Sequence, residues 1–253
     1  MGNAVEKVNI ICLHGFLGKS SDWDLIHSYF VVSPLASRIE WWSVDYMNQP
    51  ELNSTKSFLS WTEAFNRKVL KKFPDGRRVL VGYSLGGRLA LHALAAKSNI
   101  YDAAIFLSTN PGILREREKQ ERLQADQQWA QKFAALPWPE LLGEWNAQSV
   151  FKGGALEPQR EEGFYDRTLL SSALVEWSLA KQEDFRERIT KNSEKILWLS
   201  GEKDIKFLSL AMELKKRAPG LSAEVVAKSS HRLIFDNPSE VAQLMIQFLQ
   251  DRV

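Results

Sequence analysis

The chain has 253 residues, 44% of them hydrophobic, enough for one sizeable core. Its 33 basic and 31 acidic side chains leave a net charge of +2. This near balance argues against a broad nucleic-acid-binding or membrane-binding face but leaves room for a small basic pocket. A single cysteine, Cys12, excludes an intramolecular disulfide and reads as a buried core thiol. No run approaches the roughly 18 apolar residues of a membrane span. The start also lacks the apolar stretch of a signal peptide, so a cytoplasmic protein is expected.

In chain order, "VNIICL" (Val8–Leu13) predicts a first strand, apolar on consecutive residues and therefore buried on both faces. "LHGFLG" follows as a loop. "FLSWTEAFNRKVLKKF" (58–73) predicts a helix, "RVLVGY" (Arg78–Tyr83) a strand and "LGGRLALHALAAK" (85–97) a helix. "AAIFLS" (Ala103–Ser108) is the next strand. Residues 113–191 then carry no convincing strand: charged helix formers open the segment, and Pro137, Pro139 and Gly153–Gly154 break it. They predict a helical lid inserted into a core made of residues 1–112 and 192–253. Strand and helix alternate again through "KILWLS" (Lys195–Ser200), "FLSLAMELKKRA" (207–218) and "AEVVA" (Ala223–Ala227). "SEVAQLMIQFLQDR" (239–252) predicts a last helix started by Pro238 and Ser239. The alternation predicts an α/β domain with a mostly parallel, doubly wound sheet.

The chemistry centres on Gly82-Tyr83-Ser84-Leu85-Gly86, a G-x-S-x-G pattern between an apolar strand and a helix. Such a bend holds its serine in a strained backbone above the carboxyl end of the sheet. The amide of Leu85, at the helix start, points toward the same spot and can stabilise an oxyanion. A serine there needs a base, and the base needs an orienter. Among four histidines, His27 reads as surface, His92 as packed within its helix, and His14 belongs to the first loop. His231 follows the last strand and is the best base. Asp204, in "ILWLSGEKDIKF", is the best acid; Glu202 and Asp236 are alternatives, with Asp236 better suited to capping the last helix. Phe16, in "HGFLG", is the candidate second oxyanion amide, unless Gly15 and Gly18 only mark a turn. No cluster has metal-ligand spacing.

The elbow, "LHGFLG", "GEKD" and the late histidine together resemble the α/β-hydrolases over nearly the whole chain. More narrowly, "LHGFLGKSSDW", "GYSLGGRLALHAL", "STNPGI", "ERLQADQQWAQKF", "EWNAQSVF" and "GEKDIKF" are similar to the 2-succinyl-6-hydroxy-2,4-cyclohexadiene-1-carboxylate synthases of the menaquinone pathway. That resemblance implies elimination of pyruvate from a small polycarboxylate, without cofactor or metal. It implies substrate contacts at Tyr83, Arg88, Arg122, Trp145, Arg167 and Lys206. Arginine suits such a substrate because its fork meets a carboxylate in bidentate fashion. Arg88, one helical turn after Ser84, is placed to reach the same cleft. The chain departs from the family at Asn146 and Ser149, where tyrosine and proline are usual, and at Ser230, where glycine is common. The same triad would also serve a serine esterase or thioesterase.

Overall fold

The computed structural model describes residues 6–54, 57–154, 159–250 and 252. Six strands form one sheet: β1 (Val8–Leu13), β2 (Ile39–Val44), β3 (Arg77–Tyr83), β4 (Ala103–Leu107), β5 (Ile196–Gly201) and β6 (Ser222–Val226). They lie in the order β2-β1-β3-β4-β5-β6, and every neighbouring pair is parallel. All residues of β1 and β5 are buried, as consecutive apolar runs require. The two edges, β2 and β6, are the wettest strands. β2 was not among the expected strands. Its "IEWWSV" carries an exposed glutamate and mixes polar with aromatic residues, the mark of an edge.

The helices are α1 (Asp24–Val31), α2 (Phe58–Lys72), α3 (Leu85–Leu94), α4 (Glu116–Ala135), α5 (Trp138–Asn146), α6 (Arg167–Glu176), α7 (Ile205–Arg217) and α8 (Pro238–Gln250), beside shorter pieces. Side chains alternate across the sheet. Ile11, Leu13, Leu80, Phe106 and Trp198 pack with α2, α3, α7 and lid residues on one face. Ile10, Cys12, Val81, Ile105 and Leu107 pack with α1 and α8 on the other. Cys12 is fully buried, and burial pushes its thiol well above the ordinary range, so it is an inert core residue. None of the described helices is long and apolar enough to cross a membrane.

The register places the site. Leu13 pairs with Gly82, and Tyr83 with Leu107, so β1, β3 and β4 end at one level. The chain winds to β2 on one side of β1 and to β3 through β6 on the other. The strand order therefore reverses between β1 and β3, where the loops diverge and leave a crevice at the carboxyl edge. The loop after β1 is His14–Gly18, and the turn after β3 holds Ser84. The lid between β4 and β5 is helical in its described residues; its residues 155–158, and residue 251 of the expected last helix, lie outside them.

Candidate active site

Ser84 sits between β3 and α3 with φ +53°, the left-handed region that a residue with a side chain rarely enters. Close packing enforces the turn. A Cβ at Gly82 would stand 2.5 Å from the Gly87 Cα, and one at Gly86 would stand 2.3 Å from the carbonyl oxygens of Leu13 and His14. The two motif glycines thus let helix and strand touch. The Ser84 amide donates to the Leu107 carbonyl at 2.9 Å, tying the elbow to β4.

Ser84 Oγ lies 3.0 Å from His231 Nε2, and His231 Nδ1 lies 2.8 Å from Asp204 Oδ2. Asp204 and His231 are buried. The carboxylate holds the ring proton on Nδ1, which leaves Nε2 to accept the serine proton. Phe207 packs on the imidazole, with ring centres 4.5 Å apart. Glu202 does not orient the base: it accepts the Lys228 amide at 2.7 Å and so fixes the histidine loop. Asp236 does not cap α8. Its Oδ2 accepts both the amide and the hydroxyl of Ser230, each at 2.7 Å, while Asn237 Oδ1 takes the cap position on the Glu240 amide. Ser230, where glycine is common in the synthases, is thereby part of the histidine loop's own bonding.

Above Ser84 lies a cavity of about 520 Å³, roofed by lid residues such as Trp129, Trp145 and Phe151. Phe16 and Leu85, whose amides are the candidate oxyanion donors, both line it. The Phe16 ring packs against Phe133 and Trp145 of the lid, at 5.1 and 5.0 Å between centres. Four cations face the cavity: Arg88, Arg122, Lys203 and Lys206. Its two carboxylates are both engaged. Asp204 holds His231, and Asp126 receives Arg122 Nε at 2.8 Å and the Ser178 hydroxyl at 2.7 Å. Among the described residues, neither Arg88 nor Lys206 makes a salt bridge. Arg88 Nη1 donates only to the Trp177 carbonyl, at 2.8 Å. Burial, with repulsion from Arg122, pushes its guanidinium down to about 9 against the pull of Asp126 and Tyr46. It is still a cation at neutral pH, and a desolvated one, which a bound anion would relieve.

A model of the alpha/beta hydrolase family matches residues 10–244. The chain belongs to the alpha/beta hydrolase family. A relative from Escherichia coli O17:K52:H18 (strain UMN026 / ExPEC), a 2-succinyl-6-hydroxy-2,4-cyclohexadiene-1-carboxylate synthase, is 31% identical over 250 residues, 95% of this chain and 93% of the relative. The solved structure of MenH from S. aureus superposes with a TM-score of 0.86 at 22% identity, covering 99% of this chain and 96% of that one. A carboxylesterase-study structure from the thaumarchaeon Nitrososphaera gargenis superposes at 0.72 with 16% identity, covering 99% and 92%. The chain is thus a MenH-like member of the family.

Not every expected contact residue of this alpha/beta hydrolase reaches the pocket. Arg88, Arg122, Trp145 and Lys206 do. Tyr83 is not among the residues that line it: as the last residue of β3 it lies under Gly15 and borders an adjoining cavity of about 40 Å³, which Phe16, Ser84, Trp145 and Phe151 line as well. Arg167 is not there either. It opens α6, and its guanidinium binds the free carbonyls of Phe133 and Leu136 at the end of α4, plus Glu162. Arg167→Ala is therefore expected to cost about 1–2 kcal/mol of stability in urea unfolding while leaving KM within about twofold. Asn146, a departure from the synthases, accepts a bond from Arg232, and Ser149 lines the pocket. Asp126, Lys203 and Trp177 were not anticipated. Asp126 was legible as the i,i+4 partner of Arg122 in "ERLQAD", and Lys203 as the neighbour of Asp204; nothing in the sequence marks Trp177.

The other histidines are structural. His14 is fully buried, stacks on Tyr46 at 4.3 Å and donates from Nδ1 to the Gly15 carbonyl at 2.8 Å, shaping the loop after β1. His27, expected at the surface, is half-buried and stacks on Trp41. His92 lies between Phe58 and Phe185, and burial, aided by Arg88 and Arg188, pushes its imidazole down to about 3. Because that value lies below the ordinary 6.5, the unfolded chain takes the proton first, and stability falls as pH drops through this window. His92→Leu is expected to flatten that acid-side loss by on the order of 2–4 kcal/mol, read from urea midpoints between these pH values. Among the described residues no group of three His, Cys, Asp or Glu side chains is placed to hold a metal.

Proposed function

We propose that the chain eliminates pyruvate from 2-succinyl-5-enolpyruvyl-6-hydroxy-3-cyclohexene-1-carboxylate to give 2-succinyl-6-hydroxy-2,4-cyclohexadiene-1-carboxylate, as a carbon–oxygen lyase working without cofactor or metal in the cytoplasm. The observation that carries this reading is the cationic pocket directly above the serine. Among the described residues Arg88 and Lys206 have no carboxylate of their own, and a substrate with several carboxylates supplies them. The synthase names of the relatives support the same reading.

In this mechanism His231 Nε2 draws the proton from Ser84, and Ser84 Oγ takes the ring proton next to a carbonyl. The C–H electrons move onto that carbonyl, whose oxygen is held by the amides of Phe16 and Leu85. As the charge returns, the ring–oxygen bond breaks and pyruvate leaves as its enolate, which collects the proton from the Ser84–His231 pair. The ring gains a conjugated double bond, and no covalent adduct forms.

A serine esterase reading would use the same 3.0 Å Ser84–His231 contact, and a fold likeness to a carboxylesterase-study structure stands beside it. Comparing kcat/KM for the cyclohexene substrate and for a short p-nitrophenyl ester separates the two. Pyruvate release faster by at least about 10³-fold, on the order of 4 kcal/mol of differential transition-state binding, is expected for the lyase. Rapid ester turnover without pyruvate would defeat it.

A further inference from the structure

The geometry points to Arg160, in the lid, as a positioning residue that holds the oxyanion loop in register with Ser84. It belongs to the irregular stretch before α6, remote from the elbow in sequence. Its Nη1 donates to Asp22 Oδ1 and its Nη2 to Asp22 Oδ2, both at 2.8 Å. The two side chains are only 3% and 5% exposed. A bidentate pair this dry has strict geometry, and removing one partner strands the other's charge.

Asp22 passes that constraint on. Its Oδ2 also accepts the amide of Lys19 at 3.1 Å, and Lys19 directly follows the loop His14–Gly18. The same lid stretch makes two more contacts, one to the loop and one to Lys19. The Tyr165 hydroxyl donates to the Leu17 carbonyl at 2.9 Å, and Lys19 Nζ stands 3.5 Å over the Phe164 ring. Contacts from residues 160–165 thus fall on residues 17–22. The loop has reason to need them: Leu17 is held at φ +58°, a left-handed conformation that an unsupported leucine would leave. The clamp stands immediately behind the reacting groups, since the 40 Å³ cavity is bordered by Arg160, Asp22, Gly15, Phe16 and Ser84 together. If the loop shifts, the Phe16 amide moves away from the place where the oxyanion forms. The inference rests on the oxyanion role of Phe16 in the proposed function, and it holds for either chemistry at Ser84.

The test compares Arg160→Ala, Asp22→Asn and the milder Tyr165→Phe in the full chain, with active sites titrated. Two rates are read: pyruvate release, and covalent trapping of Ser84 by a p-nitrophenyl phosphonate, in which the Ser84–phosphorus bond forms as p-nitrophenolate leaves. A misplaced donor is expected to slow both kcat and trapping by about 10–100-fold in Arg160→Ala, with KM moving less than about threefold. Adding Asp22→Asn should cost little more, because the two act as one unit. Should Arg160→Ala fail to fold, Tyr165→Phe decides, with an expected loss of about 3–10-fold in both rates at unchanged melting temperature. Trapping and kcat within twofold of wild type in the folded variants would overturn the clamp, as would KM rising as much as kcat falls. Wild-type protein that is trapped by the phosphonate yet releases no pyruvate overturns the lyase reading alone; the clamp is then judged on the trapping rates.

Discussion

Ser84→Ala should cut pyruvate release by about 10²–10⁴-fold in kcat, with KM nearly unchanged. The serine hydroxyl is the group aimed into the pocket, 3.0 Å from its histidine. Without it, His231 loses the hydroxyl through which it acts on the ring proton. The cations and the amides of Phe16 and Leu85 remain, so substrate still binds and residual elimination persists. Alanine keeps the Cβ, so the strain at φ +53° is the same and the melting temperature should hold within a degree or two. That control matters because a fall in activity with a fall in stability would speak only of the elbow's geometry. Steady-state pyruvate detection together with thermal unfolding gives both quantities. Full activity in the variant would remove Ser84 from the chemistry.

Arg88→Ala should raise KM by about 10–100-fold, corresponding to the roughly 1.5–3 kcal/mol of a charge-assisted bond. Arg88 combines three properties. It lies on α3 one turn beyond Ser84, it is bound only through one arm to the Trp177 carbonyl, and burial weakens its hold on its proton. Arg122, by contrast, already has Asp126, so its alanine variant should have the smaller effect. Arg88→Lys should recover part of the loss, since a point charge replaces a fork. Steady-state kinetics on the three variants checks the order. Equal KM values for wild type and Arg88→Ala would remove the carboxylate from that place.

The elbow was legible because its demands are local. Gly82 and Gly86 are dictated by contacts of 2.5 and 2.3 Å, and only glycine meets them at that spacing around a serine. The meeting of Ser84, Asp204 and His231 was legible because each follows a strand end, and strand ends converge in a parallel sheet. Tyr83 falls beside the main pocket because one residue of strand turns a side chain to the opposite face, and the motif does not say where the strand stops. Arg167 was misplaced for a different reason: its partners are carbonyls at the end of another helix, and helix ends meet only in the folded lid. The exchange of Asp236 for Asn237 at the α8 cap is a one-residue choice, decided by the distant loop at Ser230 that Asp236 binds. Arg160 carried no local signal at all, because its meaning lies in Asp22, far along the chain.

The central claim is that Ser84 moves a proton and does not form an acyl bond. The most direct measurement quenches wild-type enzyme during turnover of the cyclohexene substrate, counts pyruvate, and weighs the intact protein. One pyruvate per substrate consumed, with protein of unmodified mass, is the expected result. An adduct on Ser84 that builds up during turnover, or consumption of substrate without pyruvate, would contradict it.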